Sequence, residues 1–127
     1  MMREQLDDGE RRVTVQQINP NPEHGPPAHR PNQRVECADG FSMSVQASSY
    51  NYSHPRRDLA PSYSQVEVGM PNSPEPLLTQ YAEDSRDLTN TVYPYVPRQV
   101  IVDVICKHGG IISGQLPAGI PYLRYND

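Results

Sequence analysis

The alternation of apolar and polar residues on either side of Ala38-Asp39-Gly40 constrains this chain more than any other feature. Phe41, Met43, Val45 and Ala47 alternate with Ser42, Ser44, Gln46 and Ser48, the period-two pattern of a strand with one buried face, and Val35 and Cys37 lead into it. A two-residue loop at Asp39-Gly40 would set Cys37 opposite Ser42 and Val35 opposite Ser44, mixing the buried and solvent faces. A three-residue loop pairs Cys37 with Phe41 and Val35 with Met43. It also leaves Gly40 at the left-handed position on which such loops finish. The pattern predicts a hairpin over 34–48.

Further elements follow from the same reading. Tyr63 to Val68 reads as a strand, with Ser64, Val66 and Val68 on one face and Gly69 and Pro71 ending it. Between hairpin and strand lies a polar, aromatic-rich loop, Tyr50 to Asp58. Pro71 to Pro76 reads as another loop, Leu77 to Tyr81 as a short strand, and Ala82 to Asn90 as an acidic connection. A helix is predicted over about 97–108, because Val100, Ile101, Val104 and Ile105 form one apolar stripe and Pro97 suits a first helical turn. Lys107 and His108 complement the dipole at its end, and Gly109-Gly110 offers a left-handed cap. The run Val100-Ile101-Val102 is β-branched and leaves a buried strand as the rival reading. The tail from Ile111 to Asp127, broken by Gly114, Pro117, Gly119 and Pro121, reads as coil. The expected fold class is α+β: a small, mostly antiparallel sheet covered by one helix.

Proline divides the chain. Five of its 14 prolines fall between Asn19 and Asn32, where Ala28 is the only other apolar residue, so burial there cannot offset the entropy of ordering. Residues 1–34 are expected to form an extended arm or linker, with a short edge or added strand at Arg11 to Ile18, and residues 35–127 the folded domain. Arm charge cancels, so the net charge of −4 belongs to residues 35–127. That balance argues against non-specific adhesion to nucleic acid or an acidic membrane. No run reaches the roughly eighteen apolar residues of a spanning helix, and the opening residues start no apolar signal core, so a cytoplasmic setting is expected. Cys37 and Cys106, too far apart for a local redox or metal motif, read as two buried thiols.

Catalytic chemistry is not legible. His24, His29, His54 and His108 have no partners at metal-ligand spacing, and His108 reads as a helix-end residue. Nucleophile elbow, P-loop and dinucleotide turn are missing, and Gly109 to Gly114 follows a helix instead of opening one. Glu83, Asp84 and Asp87 read as solvated charge. Neither a catalytic residue, a metal nor a cofactor is therefore expected. What exceeds background is aromatic: eight tyrosines with one phenylalanine and no tryptophan, and ten arginines to one lysine. Tyrosine combines an apolar ring with a hydroxyl, and arginine makes planar, hydrogen-bonded contacts, so both suit contact surfaces. Tyr50, Tyr52, His54, Arg56, Arg57, Tyr93 and Tyr95 are the candidate interaction residues. The rival reading makes the tyrosines cover for a small core.

The ordered strings Ala38-Asp39-Gly40-Phe41-Ser42-Met43-Ser44-Val45-Gln46-Ala47-Ser48, Pro55-Arg56, Val66-Glu67-Val68-Gly69-Met70-Pro71, Tyr81-Ala82-Glu83-Asp84, Thr91-Val92-Tyr93-Pro94-Tyr95-Val96-Pro97 and Lys107-His108-Gly109-Gly110 resemble a family of small proteins encoded by tailed bacteriophages. The resemblance spans about 35–112 and implies a source; it carries no functional residues. Together with the composition it leads to the expectation of a non-enzymatic accessory factor in the host cytoplasm that grips a host or phage protein through Tyr/Arg-rich loops. The alternative is a minor structural component of the virion whose arm docks on a neighbouring subunit. A third reading is a nucleotide- or phosphate-binding protein centred on His54, Arg56 and Arg57.

Overall fold

A computed structural model describes residues 12–16 and 30–126. Its elements, in chain order, are β1 (Arg12–Gln16), β2 (Val35–Cys37), β3 (Ser42–Gln46), β4 (Gln65–Gly69), a 3-10 turn (Thr79–Tyr81), β5 (Val92–Pro97), α1 (Arg98–Lys107), β6 (Ile111–Ser113) and β7 (Tyr122–Asn126). The strands form one mixed sheet in the order β1-β7-β6-β2-β3-β4-β5, six of them from residues 30–126. Every pairing is antiparallel except β6 with β7. The α+β class with a single helix is as expected.

The β2–β3 hairpin has the anticipated register. Val35 pairs with Met43, the Cys37 N–H donates to the Phe41 carbonyl at 2.8 Å, and Gly40 sits at φ 97°. Val35, Met43 and Val45 are fully buried, as are Val66 and Val68 of β4, so the alternating residues define one core face. Helix α1 lies on that face through Ile101, Val104 and Ile105. Burial of this stripe outweighs the weak helix propensity of its β-branched run.

Three expectations are corrected. The strand expected at Leu77–Tyr81 is a 3-10 turn over Thr79–Tyr81. Glu75 builds it: its carbonyl accepts from the Leu78 N–H at 2.9 Å, its carboxylate from the Leu77 N–H at 2.7 Å, and Leu78 drops into the core fully buried. The tail expected to be coil contains β6 and β7, with Tyr122 and Leu123 in the core. The two expected buried thiols are one buried, Cys37, and one exposed, Cys106; both are free. In addition, β5, which contains Pro94 and Pro97, was not among the expected elements. It lies at the sheet edge, where a missing N–H leaves no partner unsatisfied.

Of the arm expected over 1–34, residues 1–11 and 17–29 lie outside the described residues. The expected strand at Arg11 to Ile18 falls partly within them. Arg12–Gln16 pairs with β7 of its own chain, Arg12 opposite Asn126 and Gln16 opposite Tyr122.

Candidate functional site

A loop from Ser48 to Leu59 leaves the end of β3 and returns to β4. Its serines, Asn51 and Asp58 bond within the loop. The Ser48 hydroxyl donates to Asn51 Oδ1 at 2.6 Å and accepts from the Tyr50 N–H at 3.0 Å, while the N–H and hydroxyl of Ser49 both donate to Asp58 Oδ1 at 2.9 Å. Ser53, 1% exposed, donates to the Pro55 carbonyl at 3.1 Å. His54 closes the loop by backbone pairing with Gln65, its N–H donating to the Gln65 carbonyl at 3.0 Å. A loop bonded in this way loses little further freedom on binding.

The sheet supplies the other half. Val66 pairs with Val96 and Val68 with Tyr93, so the single residue Glu67 faces both Pro94 and Tyr95 across a β-bulge in β5. The bulge takes the Tyr95 N–H out of the ladder, and it donates to the Tyr52 carbonyl at 3.0 Å. Glu67, on the outward face opposite Gln46, accepts from the Tyr52 N–H at 2.8 Å. Tyr52 is thus gripped by its backbone on both sides, with its side chain free. Its ring lies 5.8 Å from that of Tyr95 at 49°, and the Arg56 guanidinium stands 4.9 Å from the Tyr52 centroid, a cation–π contact. Tyr95 holds φ 54°, a left-handed conformation that disfavours side chains, and so does Leu59 at the loop end. Such outliers gather at functional sites. Tyr95→Gly should therefore be more stable than Tyr95→Ala by about 1 kcal/mol, although both remove the ring. Thermal melts check this, and equal stability would show that the bulge relaxes freely.

The candidate residues separate. Tyr50, Tyr52 and Tyr95 are exposed at 73%, 39% and 42%, and among the described residues their hydroxyls make no hydrogen bond. Arg56 is exposed and joins them. His54 and Arg57 stand exposed on the same loop without side-chain partners among the described residues. Tyr93 is corrected outright: it is fully buried, and its hydroxyl donates to the Leu88 carbonyl. Tyr63 and Tyr122 also turn inward, bonding the Arg57 carbonyl and the Leu116 N–H. Strand parity explains Tyr93, which shares the core side with Val68; only the bulge turns Tyr95 out, and no sequence signal announces it. Two further residues were not singled out. Leu59, 79% exposed at the loop end, has no sequence cue. Glu67 occupies an outward strand position, but its role depends on a register the sequence does not state.

A second polar cluster lies at the other end of β3, by the hairpin turn. His108 Nδ1 is 2.7 Å from Asp39 Oδ2, its Nε2 is 2.6 Å from Glu75 Oε1, and Lys107 Nζ is 2.9 Å from Glu75 Oε2. The His108 ring stacks on Phe41 at 4.2 Å. Burial pushes the Glu75 carboxyl up, but the Leu77 N–H, His108 and Lys107 together outweigh it and hold the group below its ordinary value. The sequence reading gave His108 a helix-end role only; its partners come from segments more than thirty residues away.

Among the described residues, no group of three or more His, Cys, Asp or Glu is arranged to hold a metal ion. His108 has both nitrogens committed to carboxylates. Glu83 extends from the connection, Asp84 pairs with Arg86, and Asp87 with Asn90, the geometry of solvated surface charge. No helix of the described residues is long and apolar enough to cross a membrane. Comparison with protein-family models, with curated proteins and with solved structures found no match to this chain.

Proposed function

We propose that this chain is a non-enzymatic, phage-encoded accessory factor that binds a host or phage protein through the face built from Tyr50, Tyr52, Tyr95, Arg56 and Leu59. The observation that carries this reading is the division of the tyrosines. Tyr63, Tyr93 and Tyr122 spend their hydroxyls inside, whereas Tyr50, Tyr52 and Tyr95 present rings, and hydroxyls unbonded among the described residues, on a preorganised loop and bulge. Ring faces flanked by hydroxyl donors and an arginine suit an extended partner segment with apolar or proline side chains and open backbone carbonyls. The phage origin rests on the ordered strings alone. The pairing of β1 with β7 of its own chain leaves that strand less available for a neighbour's sheet, so the contact face is preferred to a virion arm.

The test is the variant Tyr50→Ala/Tyr52→Ala/Arg56→Ala. All three side chains are exposed or partly exposed, so its melting temperature should stay within a few degrees of wild type. A protein captured by the wild type from infected-cell lysate, then purified, should bind the variant about 100-fold more weakly, as expected when aromatic and arginine anchors are lost. An unchanged Kd would reject the face.

A further inference from the structure

The cluster at His108 joins three segments that nothing else in the local sequence connects: Asp39 from the hairpin turn, Glu75 from the stretch between β4 and the 3-10 turn, and Lys107 with His108 from the end of α1. Both ring nitrogens of His108 lie within 2.7 Å of carboxylate oxygens. A neutral imidazole carries one N–H and one lone pair, and an ionised carboxylate only accepts, so a neutral ring would point a lone pair at one of the two. An imidazolium donates from both nitrogens and so satisfies the two contacts together.

We propose that His108 is a proton-operated clasp: as an imidazolium it fastens the end of α1 to the hairpin turn and to the Glu75 segment, and losing its proton releases that junction while the sheet stays folded.

The charges described at this junction fit this. Asp39 and Glu75 contribute two negative charges, Lys107 and the imidazolium two positive ones. The last carbonyls of α1 favour a cation, and the stacked Phe41 ring offers its face to one. The Cys37 thiol beneath the turn is pushed up to about 12 by burial and by Asp39, so it stays neutral. Glu75 is 1% exposed, and a carboxylate this far from water depends on its cationic partners. The Glu75 contribution is complete above its ordinary pKa and is lost as pH falls through its lower folded value.

Two backbone bonds cross the junction, the Ala38 N–H to the Gly110 carbonyl at 2.9 Å and the Asp39 N–H to the His108 carbonyl at 3.3 Å, and their amides report its opening. Nitrogen NMR of the imidazole in the intact chain follows the protonation of both ring nitrogens across a pH series. Through the ring's own titration, exchange of the Ala38 and Asp39 amides, corrected for base catalysis, should rise about tenfold while amides of β3 and β4 keep their protection. His108→Gln, which donates without titrating, should lose that step. Junction protection indifferent to the ring's titration, or the same step in His108→Gln, would overturn the clasp.

Discussion

Gly110→Ala is expected to destabilise the protein by about 3 kcal/mol, lowering its melting temperature by roughly 10 °C. Gly110 holds φ 97°, and a Cβ there would lie 2.6 Å from the backbone nitrogen of Tyr125 and 2.8 Å from its Cα. The left-handed backbone alone costs an alanine about 1–2 kcal/mol. The rest comes from the clash, which no rotamer relieves because the obstructing atoms are main chain; β7 would have to move away. Gly40→Ala separates the two effects. Gly40 has the same φ of 97°, but nothing lies within 4 Å of its Cβ position, so only the backbone strain applies. Melts of both variants decide it, and equal losses would show that the approach of β7 to Gly110 is not tight.

Tyr93→Ala should be as damaging, at about 3–5 kcal/mol, because it empties a fully buried ring site beside Val68. Tyr93→Phe fills the same space and removes only the hydrogen bond to the Leu88 carbonyl, so about 1 kcal/mol is expected. Neither change touches the outward rings, and the phenylalanine variant should hold the partner as the wild type does. Partner binding weakened by Tyr93→Phe at preserved stability would return Tyr93 to the interaction surface.

Local pattern carried the hairpin and the helix. Phe41 to Ser48 alternates so strictly that one loop length keeps the faces separate, and the Val100–Ile105 stripe ends at paired glycines that close a helix whatever lies around it. The tail shows the opposite case. Its Gly114 reads as an interruption, whereas it is a close approach to Arg34 that permits strands to pass. Proline in β5 is admitted for a related reason: it is excluded only from the interior of a sheet, and position in a sheet is not written locally.

The aromatic face was half legible. Composition singled out tyrosine and arginine, and the loop 50–58 supplied most of the candidate residues. Which rings face water was decided by one extra residue in β5, which sends Tyr93 inward and Tyr95 outward. The cluster at His108 was not legible, since Asp39, Glu75 and His108 meet through turns separated by more than thirty residues. Sequence by itself determined the short-range elements, because strand alternation, helical periodicity and turn chemistry act over a few residues. Tertiary structure alone decided the edge position of β5, the use of the tail as strands, and both side-chain clusters, because each depends on register and close approach between segments that attract one another only after the core has formed.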